Sequence, residues 1–227
     1  ILGESMNDLI SRAERFARVC HEGQFRKGKA KEPYTIHLEE VANLVEKWGG
    51  GDNAIAAAWL HDTVEDCPPI SSADLASLFG DEVAYIVAEL TDDKSLSKAE
   101  RKRKQVENAP HKSNDASLVK LADKTSNVGA IGKSPPADWS LERRLAYISW
   151  ADQVVERLPF APKEGLDEFF KRYDIAELDA YDDLGTIRQG ENAALRVIER
   201  RAKRLGASDD KIKQMILGFM EGAYGRA

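Results

Sequence analysis

The chain has 227 residues, 42% hydrophobic content and a formal net charge of −6, enough for one core with an appendage and adverse to bulk nucleic-acid binding, which needs an excess of Lys and Arg on one face. No run of about 18 apolar residues suggests a membrane span, and ILGESMNDLI has neither the basic region nor the apolar stretch of a secretory signal. With only Cys20 and Cys67 and no CxxC spacing, the expectation is a soluble cytoplasmic protein without a disulfide scaffold, with no nucleic-acid or membrane partner.

Apolar residues at helical spacing (Leu9, Ala13, Phe16, Ala17, Cys20) predict a first helix over 7–21; the preceding ILGES is left out of the fold reasoning. GQFRKGKAKEPYTI, with its glycines, proline and basic residues, reads as an exposed loop. HLEEVANLVEKWGG reads as a second helix that begins at His37 and is closed by Gly49 and Gly50. DNAIAAAWLHDTVED reads as a third, buried helix with Asp52 as N-cap, ended by Pro68 and Pro69. Shorter helices are expected at SADLASLFG and DEVAYIVAELT, then a basic helix in KSLSKAERKRKQ, then NDASLVKLADKTSNVGAIG and LERRLAYISWADQVVERL. From about Pro162 two or three more helices are expected, including ENAALRVIERRAKRLG and SDDKIKQMILGFMEGAYG. Strand signals are absent, so the predicted class is all-α.

The chemical anomaly is His61-Asp62 directly after the apolar run AIAAAWL, where burying unpaired ionisable groups would be costly. Alone, the dipeptide is better explained by a hydrogen-bonded histidine and a solvent-facing aspartate. Glu65 and Asp66 lie four residues on, and if the helix continues the two pairs share a stripe. Carboxylates that crowded repel one another unless a cation compensates, and His with carboxylates suits Mn²⁺, Fe²⁺ or Zn²⁺. Asp123, in KLADKTSN, shares a face with Val119 and Asn127, and without the HD site an N-cap role or an ion pair with Lys120 or Lys124 would explain it better than a ligand role. The basic run, with Lys94, Lys98, Arg101 and Lys102 among its cations, reads either as a solvated face or as a local anion patch.

Taken together, FARVCHEGQFRKG, PYTIHLEEVA, AWLHDTVEDC, FGDEV, VAELTDDKSLSKAERKRKQVENAPHKS and LVKLADKTSNV resemble the HD phosphohydrolase superfamily, and within it the hydrolase domain of RelA/SpoT-type proteins and the stand-alone Mesh-type small alarmone hydrolases. The resemblance runs from about Asp8 to Leu158. It implies an HD-type helical bundle with additional C-terminal helices: residues 1–160 as a metal-dependent hydrolase domain, and 161–227 as a helical extension packed on it.

The resemblance also implies that His37, His61, Asp62 and Asp123 hold one Mn²⁺, other divalent transition metals being open. Glu65 and Asp66 would position and deprotonate the attacking water. Arg26 would stack on guanine, Lys27 would meet phosphate, and Asn127 would touch the ribose or 3′-phosphate region. The implied reaction removes the 3′-pyrophosphate of (p)ppGpp, leaving GDP or GTP. Alternatives are an HD phosphatase acting on another nucleotide such as NADPH, and a catalytically idle nucleotide-binding HD protein. From the residues that follow Leu158, no synthetase domain is expected. The C-terminal residues could extend the bundle, cover the site or make a homodimer contact. At KTSN the chain departs from relatives that carry a larger residue after the lysine.

Overall fold

A computed structural model describes residues 6–182, 195–200, 202–203 and 206–224. The architecture is all-α, and among the described residues the only β pairing is an isolated bridge between Phe25 and Pro33. Eight helices precede the site's last ligand or contain it: α1 Met6–Cys20, α2 Tyr34–Lys47, α3 Asp52–Leu60, α4 Thr63–Asp66, α5 Ser72–Phe79, α6 Asp81–Leu90, α7 Lys98–Asn108 and α8 Asn114–Lys133. Two follow it, α9 Leu141–Val155 and α10 Lys163–Asp182. Residues 195–200 and Asp209–Tyr224 are also helical. Of the helix expected over 191–206, residues 191–194, 201, 204 and 205 lie outside the described residues, as do 1–5.

Serine caps set many of these starts. Ser97, Ser113 and Ser140 each accept a hydrogen bond from the backbone N–H three residues on, and Ser71 with Asp74 forms a reciprocal capping box. Each such cap stabilises its helix by about 1 kcal/mol. Gly80, at φ 91°, separates α5 from α6 in a conformation that favours glycine.

The core centres on α3, buried from Ala54 to Leu60 and surrounded by α1, α2, α6 and α8. Its small alanines let the neighbours approach closely. Truncating the fully buried Leu60 to Ala is expected to cost about 2–5 kcal/mol. Helix α10 lies along α8, where Gly132 leaves room for Ala176; a Cβ there would stand 3.1 Å from the Ala176 Cα.

Two boundaries differ from expectation in ways that bear on the site. Helix α2 starts at Tyr34, directly after Pro33, so His37 sits one turn inside the helix rather than at its start. Pro33 was read as part of a loop, yet its restricted φ of −51° suits a helix entrance. The third helix is not continuous to Asp66: it ends at Leu60, His61 and Asp62 form a turn, and the single-turn α4 follows. Asp52 is the first helical residue, with Gly51 at the cap position.

Candidate metal centre and nucleotide cavity

The break after Leu60 aims the histidine and the aspartate together. His61 Nδ1 lies 2.7 Å from the Ala58 carbonyl, which can only accept, so Nδ1 carries a proton and Nε2 is the nitrogen left to face a cation. On α2, His37 Nδ1 is 2.9 Å from Ser126 Oγ, and its Nε2 also points inward. Both Nε2 atoms are buried without a hydrogen-bond partner.

Carboxylates face them. His61 Nε2 stands 3.0 Å from Asp62 Oδ2, an approach that does not make a hydrogen bond, and His37 Nε2 stands 3.8 Å from the same oxygen. From α8, Asp123 Oδ1 lies 3.6 Å from His37 Nε2 and 4.0 Å from His61 Nε2. Ligand atoms of His37, His61 and Asp123 all fall within 4.8 Å of one another. Both carboxylates also accept from neighbouring side chains. The Tyr34 hydroxyl donates to Asp62 Oδ2 at 2.5 Å, Asn127 Nδ2 donates to Asp123 Oδ1 at 2.5 Å, and Lys124 Nζ donates to Asp123 Oδ2 at 3.1 Å, with Lys120 Nζ at 3.8 Å.

The electrostatics favour positive charge here, though not two protons. Burial lowers the His61 pKa, but Asp62 and Asp123 outweigh it and hold the group at about 9. Burial, Arg26 and His61 push His37 down to about 3. Burial would raise Asp62 and Asp123, yet their neighbours hold both below the usual carboxylate range, His61 first at Asp62, Lys124 and Lys120 at Asp123. One divalent ion satisfies both carboxylates while leaving both imidazoles neutral. Two orphaned nitrogens facing two oxygens therefore fit a metal, and the mixed N/O set suits a first-row divalent ion.

Beside this cluster lies a cavity of about 340 Å³. Tyr34 and Asn127, which bond the two aspartates, form part of its wall, together with Glu65 and Asp66. The third helix ends at Leu60, and Glu65 and Asp66 sit on the short α4 that follows, where the Asp66 N–H still donates to the Asp62 carbonyl at 2.8 Å. Glu65 and Asp66 pair with Lys94, whose Nζ is 3.2 Å from Glu65 Oε1 and 2.8 Å from Asp66 Oδ1. Glu65 Oε2 accepts the Asp92 N–H at 3.3 Å. Burial, Asp62 and Asp92 raise the Glu65 pKa against the pull of Lys94.

The structure also brings Arg26 and Lys27 to this wall. Arg26 is anchored rather than free: it donates to Ser126 Oγ at 3.2 Å and to Asn127 Oδ1 at 3.1 Å. In α7, Lys98, Arg101, Lys102 and Gln105 line the cavity, the i, i+3, i+4, i+7 face of the helix. Arg103 instead pairs with Glu100 and Glu107 on the exposed side. Aromatic residues also line it: Trp139, Tyr147 and Trp150. Lys102 Nζ sits 5.0 Å from the Tyr147 ring centroid and 4.5 Å from that of Trp150.

Sequence reasoning missed Tyr34 and the aromatic wall, because aromatic residues at helical spacing look like core. It also missed Ser126 and Glu40, which meet across 86 residues. The PYTIH segment held the one available signal, a tyrosine three residues before a candidate ligand.

Fold and site together define a metal-dependent helical hydrolase of the HD class. The family described as HD domain matches residues 13–150. The guanosine-3′,5′-bis(diphosphate) 3′-pyrophosphohydrolase MESH1 of Xenopus tropicalis is 45% identical over 152 residues, covering 66% of this chain and 84% of that protein. The human MESH1 is 41% identical over 177 residues, covering 75% and 97%. A solved structure described as a metazoan ortholog of SpoT that hydrolyses ppGpp aligns with a TM-score of 0.69 and 37% identity, over 77% of this chain and 99% of that one. The chain belongs to the HD-domain family and, within it, to the MESH1-type pyrophosphohydrolases.

Proposed function

We propose that this chain hydrolyses (p)ppGpp at the phosphorus attached to the ribose 3′-oxygen. Water adds to that phosphorus, the P–O3′ bond breaks, and pyrophosphate leaves GDP or GTP behind. The observation that carries the proposal is the pair of buried imidazole nitrogens, without hydrogen-bond partners, that face Asp62 and Asp123 directly behind the wall of a cation-lined cavity. The activity named for the MESH1 relatives supports it.

His37, His61, Asp62 and Asp123 would hold one divalent ion, with Mn²⁺ our choice. Such an ion acidifies water and polarises a phosphoryl oxygen. Glu65, whose raised pKa brings it toward the working range of a base, takes the proton from the attacking water. Asp66, held by Lys94, orients that water. Arg26 offers its planar guanidinium to guanine, Lys27 its ammonium to phosphate, and Asn127 meets the ribose or 3′-phosphate region.

Lys98, Arg101 and Lys102 supply the positive field that a substrate with four or more phosphates needs. Residues 1–160 act as the hydrolase unit and 161–227 as its extension. No described helix is long and apolar enough to cross a membrane; with two unpaired cysteines, a cytoplasmic setting fits.

Chromatography of products from ppGpp with Mn²⁺ tests the reading: GDP and intact pyrophosphate are expected. Stepwise release of single phosphates, or faster turnover of NADPH, would overturn it.

A further inference from the structure

The least expected contact in the molecule joins α10 to the metal cluster. Arg172 of α10 donates to Glu40 Oε1 and, through Nε, to Glu168 Oε1 at 2.9 Å. Glu40 Oε2 accepts the Ser126 hydroxyl at 2.6 Å. Ser126 Oγ is 2.9 Å from His37 Nδ1 and 3.2 Å from Arg26 NH1.

Counting protons fixes the direction of this chain. A serine hydroxyl has one donor and two acceptor lone pairs. An ionised Glu40 can only accept and takes the one proton. Arg26 can only donate and occupies one lone pair. The second lone pair then requires His37 Nδ1 to carry hydrogen, which leaves His37 Nε2 bare and able to bind a cation. Ser126 is 1% exposed, so water does not substitute for any of the three partners. Helix α10 lies outside the HD match at 13–150. Arg172 is packed in place, since a Cβ on Gly129 would meet its Cδ at 3.1 Å.

We infer that Ser126, Glu40 and Arg172 form a positioning relay by which the C-terminal helix α10 sets the tautomer of His37 and thereby the affinity of the metal site. The inference rests on the reading of His37 as a ligand. Without Arg172, Glu40 loses its main cation. Without Glu40 as acceptor, the Ser126 proton is free to turn toward His37 Nδ1, and the imidazole proton then moves to Nε2, which blocks coordination. Partners of this kind typically change metal affinity by about 10–100-fold.

The test measures Mn²⁺ affinity of the full chain by competition with a fluorescent chelator, and the His37 tautomer by ¹⁵N NMR of the metal-free protein. Ser126→Ala is expected to weaken Mn²⁺ by about 10–100-fold. Arg172→Ala is expected to weaken it less, Arg172→Lys to recover part of the loss, and Glu40→Leu to shift the His37 ¹⁵N pattern toward the Nε2–H form. Thermal melting checks that each variant is folded. Unchanged Mn²⁺ affinity and an unchanged His37 pattern in folded Ser126→Ala and Arg172→Ala would overturn the relay while leaving the hydrolase reading standing. Failure of the wild-type chain to bind Mn²⁺ would instead overturn the ligand assignment, and the relay with it.

Discussion

The metal cluster and the cation-lined cavity adjoin each other and are built on opposite rules. In the cluster nearly every polar atom has a fixed partner: Tyr34 on Asp62, Asn127 and Lys124 on Asp123, Ala58 on His61, Ser126 on His37. The two Nε2 atoms have no hydrogen-bond partner, and both face Asp62 and Asp123. In the cavity wall, Lys98, Arg101 and Lys102 crowd together, so that burial and neighbouring cations lower the Lys98 and Lys102 pKa values. The first region is satisfied except for one cation; the second holds excess positive charge that a polyanion would relieve. Geometry selects the ligand in one and net charge in the other, so damage to each should look different.

The largest effect is expected at the cluster. His61→Ala should abolish turnover and metal retention together while the chain stays folded, as read by metal analysis and circular dichroism. Retention of a stoichiometric ion by that variant would remove His61 from the ligand set.

Glu65→Gln separates the two regions, because Glu65 lies on the cavity wall rather than in the cluster. It should keep the metal and lose about 10²–10⁴-fold in kcat, the range of general-base catalysis. Near-normal rates would move the base to Asp66.

Arg26 touches both regions, so Arg26→Ala should lower kcat/KM by about 10–100-fold, the scale of one charge-assisted hydrogen bond. Arg26→Lys should not restore it, since the fork to Ser126 and Asn127 needs two nitrogens. Full recovery with lysine would reduce the residue to a point charge.

The smallest effect should come from pH at Lys102. Burial, Lys98 and Lys124 bring its pKa from 10.5 down to about 8, so it is charged at pH 7 and loses its proton above pH 8. KM for ppGpp should therefore rise through pH 8 by about 2–5-fold, the scale of one partly exposed ionic contact, and Lys102→Met should flatten that rise. The stability sign is opposite. Between about pH 8 and 10.5 the unfolded chain holds more protons at this group, so its contribution to stability rises with pH. A KM that stays level across pH 8 would place Lys102 outside the substrate's field.

What was legible in the sequence was whatever local pattern encodes. The order of helices followed from apolar spacing and turn residues. His61-Asp62 stood out because ionisable residues closing an apolar helix need a partner, and the resemblance carried that reading to His37, Asp123 and the hydrolase class. Helix boundaries were less secure. Pro33 opens α2 instead of prolonging a loop, the turn at His61-Asp62 ends α3 early, and Glu65 and Asp66 pair with Lys94. Which face of α7 looks inward was decided only by its docking against α9, where Trp150 Nε1 donates to the Lys102 carbonyl at 3.0 Å. The tautomer of His37 was decided farther away still. It depends on Ser126, 89 residues along the chain, and through Glu40 on Arg172, a further contact across 132 residues. Helical periodicity reports which residues share a face within one helix; it carries no information about which faces of different helices meet, and the orphaned nitrogens exist only once α2, α3 and α8 have packed.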